Sequence, residues 1–181
     1  MNLGHGVICC GLSLLLLPIA SAAPRHDPLT PAEIDQLRDT AQEPDQRLKL
    51  YVKFVRARLA AVEQVRSDPK VTDRGQETHD RLQDFLDLYD ELNDNIDTYA
   101  DRKEDLRKVL KPIIEADTEF EAKLRALKNS GTASKDEQSH YEFLLTNTID
   151  TIDNSAQDHR QLLAEQEEAA KHKKKTKAEP Q

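Results

Sequence analysis

From residue 24 onward the chain has no cysteine, no methionine and no tryptophan, and its only glycines are Gly75 and Gly131. Without thiols there is no disulfide framework, no thiolate metal site and no Cys nucleophile. Without Met there is no Met haem ligand. Two isolated glycines build neither a dinucleotide fingerprint nor a phosphate-cradling loop. Charge is missing in a different place: residues 1–23 contain no Asp, Glu, Lys or Arg, so the formal net charge of −8 belongs wholly to the 158 of 181 residues that follow. Leu, Ile, Val and Phe make up about 21% of those, close to the composition at which chains stay unfolded. Whether the chain folds therefore rests on how its few apolar residues are spaced.

What the first 23 residues do have is an apolar run, Val7 to Leu17, followed by Pro18 and Ile19-Ala20-Ser21-Ala22-Ala23. A run of that length with small residues after it reads as a cleavable export signal, cut after Ala22 or Ala23. It is short of the roughly 20 apolar residues that span a bilayer. The expected destination is the periplasm or the outside of the cell, an oxidising space that the mature chain enters without a cysteine. Residues 24–29 follow as a short polar leader.

The remainder is patterned for helix. Thr30-Pro31-Ala32-Glu33 is a capping box with proline at the first helical position, and Ile34, Leu37 and Ala41 line one face behind it. Pro44 interrupts, and helix resumes over Asp45–Arg66. Its stripe is Leu48, Tyr51, Val52, Val55, Leu59 and Val62, widened by Leu50, Phe54 and Ala61 so that two sides ask for cover. Ser67-Asp68-Pro69 ends it. From Leu82 the pattern steps by three and four through Phe85, Tyr89, Leu92, Ile96, Tyr99, Lys103, Leu106, Leu110, Ile113, Asp117, Phe120, Leu124 and Leu127. Only Lys103 and Asp117 break its apolar character. That repeat predicts one helix over residues 76–128, about 80 Å long and kinked near Pro112. Asn129-Ser130-Gly131 stops it. Ser134-Lys135-Asp136-Glu137 opens a last helix with a looser stripe of Tyr141, Leu144, Leu145, Thr148, Ile149, Ile152, Ala156, Leu162 and Leu163. The expected fold is all-α: an elongated, antiparallel, three-helix, coiled-coil-like bundle spanning residues 30–170. The alternative is a compact four-helix bundle with the long helix broken at Pro112. Residues 171–181 read as a basic, disordered tail.

Candidate chemistry is sparse. Glu137 and His140 have the Glu-x-x-His spacing that di-iron bundles use twice; here it occurs once, so a capping Glu beside a surface His is the expected reading. His79 and His159 lack a His partner at i+3 or i+4, although His159 falls on the core stripe. Asp84, Asp87, Asp90, Glu91, Asp94, Asp97 and Asp101 lack the central Gly and alternation of an EF-hand loop and read as a solvated face. Lys103 and Asp117, about 21 Å apart along a continuous helix, are expected to reach the bundle edge, with Asp117 a candidate point of helix splaying. No catalytic, cofactor-binding or metal residues are assigned, and no nucleophile elbow is present. Lys171, Lys173, Lys174, Lys175 and Lys177 against Glu179 give the tail a net +4, leaving −12 on the rest of the chain. Such a tail suits an anionic surface. The acidic body and the absence of aromatics among the lysines speak against nucleic acid.

Leu29-Thr30-Pro31-Ala32-Glu33 resembles the Leu-Thr-x-x-Gln motif of small, all-helical periplasmic stress chaperones, once and with Glu in place of Gln. The functional expectation is an exported, non-catalytic scaffold or protein-interaction protein that meets a partner, or a second copy, through helical seams. A holdase-like chaperone or envelope-stress factor is the alternative, and a metal-binding bundle a more distant third.

Overall fold

The computed structural model describes residues 27–178; the apolar run and both cleavage points lie outside them. Helix is the only regular structure among the described residues: α1 (Pro31–Asp39), α2 (Pro44–Ser67), α3 (Arg74–Asp101), α4 (Arg107–Asn129), the short α5 (Lys135–Ser139) and α6 (Glu142–Ala178). The fold is all-α, as the patterning requires.

The first two elements follow their sequence signals closely. Thr30 and Glu33 form the reciprocal box, with the Thr30 amide donating to Glu33 Oε2 at 2.8 Å and the Glu33 amide to Thr30 Oγ1 at 3.3 Å. Pro44 stands at the first position of α2, where its missing N–H is no loss. Two-sided cover on α2 is real: Phe54 is buried together with Leu48, Val55, Leu59 and Val62, and α1 packs against α2. Arg58 secures the segment before α1. Its guanidinium donates to the Pro28 carbonyl (Nε to O 2.9 Å) and pairs with Glu33.

The single long helix over residues 76–128 does not form. The chain turns between α3 and α4, at residues 102–106, and not at Pro112. Lys103 adopts φ +64°, the left-handed conformation. Its amide donates to the Ala100 carbonyl at 2.9 Å and that of Glu104 to Tyr99 at 3.1 Å. These are the paired bonds of a Schellman stop, normally built on glycine. The physical reason for the stop lies in Asp101-Arg102-Lys103-Glu104-Asp105, five consecutive charges with no apolar side chain to hold a helix against the core. Gln166 of α6 then pins the turn with both ends of its amide. It accepts from the Leu106 amide at 2.8 Å and donates to the Glu104 carbonyl at 3.0 Å. Pro112 sits exposed within the second turn of α4, where the helix runs on through it.

Folding back leaves the stripe intact. Leu82, Phe85, Leu92, Ile96, Leu106, Leu110, Ile113, Phe120 and Leu124 are all buried, because both arms of the broken helix turn the same face inward. The four long helices form a bundle in which α2 packs most extensively on α3, and α4 on α6, with lesser α2–α4 and α3–α6 contacts. Side-chain pairs give the directions. Arg47–Asn95 sets α2 antiparallel to α3, and Arg125–Asp153 with Lys111–Glu167 sets α4 antiparallel to α6. α3 and α4, consecutive in sequence, meet across the core, where the Phe85 and Phe120 rings lie edge to face at 5.5 Å.

At the α4–α6 junction the glycine stop stands as expected, while the second capping box and the start of the last helix change. Gly131 takes φ +58°, the left-handed cap. The Ser134 box is only half made: Ser134 Oγ accepts the Glu137 amide at 3.1 Å, but the Glu137 carboxylate goes to Arg66 of α2 instead of returning to its own cap. The opening turn stays separate as α5, and the long helix starts at Glu142. Gly75 admits α5 against α3. A Cβ there would stand 3.0 Å from both the Glu137 carbonyl and the His140 ring. Finally, the stretch expected to be a disordered tail is helical as far as it is described: α6 continues to Ala178, as lysines are good helix formers and favour a helix C-terminus.

Candidate functional site

Polar groups collect at one place inside the apolar core. Tyr89 of α3 is fully buried, its ring stacked near Phe85 (6.1 Å) and edge-on to Phe120 (6.3 Å). Its hydroxyl donates to Asp117 Oδ1 of α4 at 2.9 Å, and Asp117 Oδ2 is 2.9 Å from Nδ1 of His159 on α6. Asp117 is 1% exposed and His159 4%. Both carboxylate oxygens are thus engaged, and one buried acid ties three helices together. Burial, reinforced by the neighbouring Asp117 carboxylate, pushes the Tyr89 phenol far above its ordinary value, so it stays a hydrogen-bond donor.

One turn along, Asn93 Nδ2 donates to Ser155 Oγ at 3.0 Å, while the buried Asn93 Oδ1 has no partner. Serine, histidine and aspartate therefore occur close together, but not in the order that hydrolysis needs. Ser155 is engaged by Asn93, and no hydrogen bond joins it to His159. Chemically, the cluster links helices.

Asp117 departs from its expected place: instead of reaching the bundle edge it is sealed inside, because Tyr89 and His159 supply the partners that a buried carboxylate requires. It closes the bundle at the point where splaying was anticipated. Lys103 does reach solvent, at the turn. Sequence spacing could not pair Asp117 with His159, which lie 42 positions apart on helices whose register depends on the unanticipated turn. The available signal was that both occupy core slots.

The remaining candidates are used locally. Glu137 pairs with Arg66, whose guanidinium also lies over the Tyr141 ring at 5.6 Å, and His140 is an exposed neighbour of Gly75. The Glu-x-x-His pair is therefore divided between a salt bridge and the surface. His79 lies 3.2 Å from Asp80. In the acidic run, Asp84 pairs with Arg81 and Asp87 accepts from Gln83. Partial burial, then the charges of Asp87 and Asp94, raise the Asp90 carboxyl; burial and Asp27 do the same for Glu91. No group of three or more His, Cys, Asp or Glu able to hold a metal ion occurs among the described residues, and no described helix is long and apolar enough to cross a membrane.

The two ends of the bundle differ. At the end formed by the C-termini of α2 and α4 and the start of α6, a surface groove of about 330 Å³ is lined by Leu59, Val62, Leu124 and Leu127 and rimmed by Arg66 and Lys123. Phe143, in the first turn of α6, is 87% exposed at this end. At the opposite end lie the α3–α4 turn and the lysine-rich close of α6.

Comparison with protein-family models, with curated proteins and with solved structures finds no match for this chain.

Proposed function

We propose that this chain is an exported, non-catalytic helical interaction protein, and that it meets a protein partner at the end of the bundle bearing Phe143. The observation that carries the reading is Phe143 itself. Every other large apolar side chain of the described residues is at least partly covered, while this ring stands 87% in water at the same end as the apolar α2–α4 groove. An isolated exposed apolar residue is unremarkable on its own. An aromatic at the same end of the bundle as an apolar groove with a charged rim supplies the parts of an interface core: an aromatic anchor, aliphatic surroundings and polar edges. Support also comes from the polar constellations. Asp117, His159 and Glu137 are each engaged in holding helices together, which fits a structural use of these side chains. Export rests on residues 7–23, and sequencing the N-terminus of protein recovered from outside the cytoplasm tests it, with Ala23 or Pro24 expected as the first residue.

The interaction is tested by placing a photo-crosslinking aromatic at position 143 and, separately, at Lys123 on the groove rim. A single adduct of defined mass from both positions is expected. Phe143→Ser should weaken that complex on the order of tenfold or more, the worth of burying one large apolar side chain, and leave the melting temperature unchanged. Many adducts, with suppression of aggregation of unrelated unfolded proteins, would favour the holdase reading. No adduct at either position would remove the proposal.

A further inference from the structure

We propose that the C-terminal end of α6, together with the α3–α4 turn beside it, is a docking surface for an anionic lipid bilayer, which the protein meets end-on. The register of the bundle sets the geometry. Lys111 of α4 pairs with Glu167 of α6 in antiparallel packing, and α4 begins four residues earlier at Arg107, so from about Lys171 onward α6 has no helix alongside it. The turn is its last neighbour, the two sharing a groove whose charged lining is Lys103, Arg107 and Lys173 together with Glu104, Asp105 and Glu165. The helix nevertheless continues to Ala178, about 10 Å past that point. The protruding residues read Lys-His-Lys-Lys-Lys-Thr-Lys-Ala, with no acid among them.

Charge segregation supports the assignment. Five like charges in two turns of helix repel one another, at a cost the helix C-terminus offsets only in part. A chain with −13 elsewhere gathers them on a helical segment that leaves the bundle. Two of the nearby acids are paired, Glu167 with Lys111 and Glu168 with both Lys171 and His172, while Glu165 accepts from the Gln161 amide. Asp105 in the turn is held by Arg107, whose hydrogen bonds bring its carboxyl down to about 2. Lys171 and Lys173 are exposed.

Orientation favours a flat polyanion over a long flexible one. With the helix end against a surface, most of the acidic bundle stands farther away than the screening length of about 8 Å at physiological salt. A nucleic acid would have to pass along the acidic flanks, and the segment offers no aromatic residue for base stacking.

The test uses residues 24–181, which contain the whole described bundle and omit the apolar run that would itself enter lipid. Co-sedimentation is measured with phosphatidylcholine vesicles, with and without phosphatidylglycerol, at rising salt. Binding only to the anionic vesicles is expected, together with loss of binding at high salt. Each lysine near the surface contributes on the order of fivefold to partitioning. Lys173, Lys174, Lys175 and Lys177 all changed to Gln should therefore lower binding at least a hundredfold, with unchanged helical circular dichroism. Restoring the charges as Arg should restore binding. Equal partitioning of wild type and the Gln variant, equal binding to neutral vesicles, or tighter binding to an oligonucleotide than to anionic vesicles would each overturn the proposal.

Discussion

Asp117 holds a carboxylate at the centre of the molecule by using both oxygens, one for the Tyr89 hydroxyl and one for His159 Nδ1. Removing the acid strands two buried polar groups at once, whereas removing one donor leaves the other bond in place. Asp117→Ala is therefore expected to destabilise by about 3 kcal/mol or more, and Tyr89→Phe by about 1–2 kcal/mol. Urea unfolding of the two variants and the double variant checks both; the cycle should show that the Tyr89 hydroxyl contributes little once Asp117 is gone. Glu33 carries a pH-dependent contribution of its own. Burial raises the Glu33 carboxyl, but hydrogen bonds from Arg58 and Thr30 outweigh it and hold the group below its ordinary 4.5. A group whose folded value lies below its unfolded one contributes fully above about pH 4.5, and the contribution is lost as pH falls through the folded value. Arg58→Ala should therefore lower the urea midpoint at neutral pH and shrink the fall between pH 4.5 and more acid conditions.

At the scale of elements, the turn at Lys103 makes a prediction whose sign decides between two architectures. A lysine held at φ +64° is strained by its Cβ, and glycine is not. Lys103→Gly is expected to raise stability by about 0.5–1 kcal/mol in urea or thermal unfolding. In a continuous helix the same change would cost about 1 kcal/mol. Gln166→Ala should destabilise, because the Leu106 amide and the Glu104 carbonyl lose their shared partner. Much of this level was legible in the sequence. The Thr30 box, Pro44 at the start of α2, the stripe from Leu82 to Leu124 and the Gly131 cap all stand where the pattern puts them. The turn was hidden because a heptad stripe reads the same whether the helix runs on or folds back onto the same core. Lys103 looked like a tolerated core slot, and the five charges around it were the signal that outweighed the period. The buried triad was hidden for the same reason, since a straight α3–α4 helix would hold Tyr89 and Asp117 about 42 Å apart.

The whole molecule is a four-helix bundle with an apolar end at Phe143 and a basic end at α6, its core fixed by an acid shared among three helices. All of this depends on α3 and α4 facing each other across one core. Because Cys9 and Cys10 precede residue 24, a chain of residues 24–181 carries no native thiol, and spin labels can be placed at will. Asp80 of α3 and Ala126 of α4 are exposed and fall at the same end of the bundle by the Tyr89–Asp117 and Phe85–Phe120 register. With both changed to Cys and labelled, electron–electron double resonance should give a single narrow distance of roughly 20–30 Å. A distance near 70 Å, the length of 46 residues of continuous helix, would contradict the account.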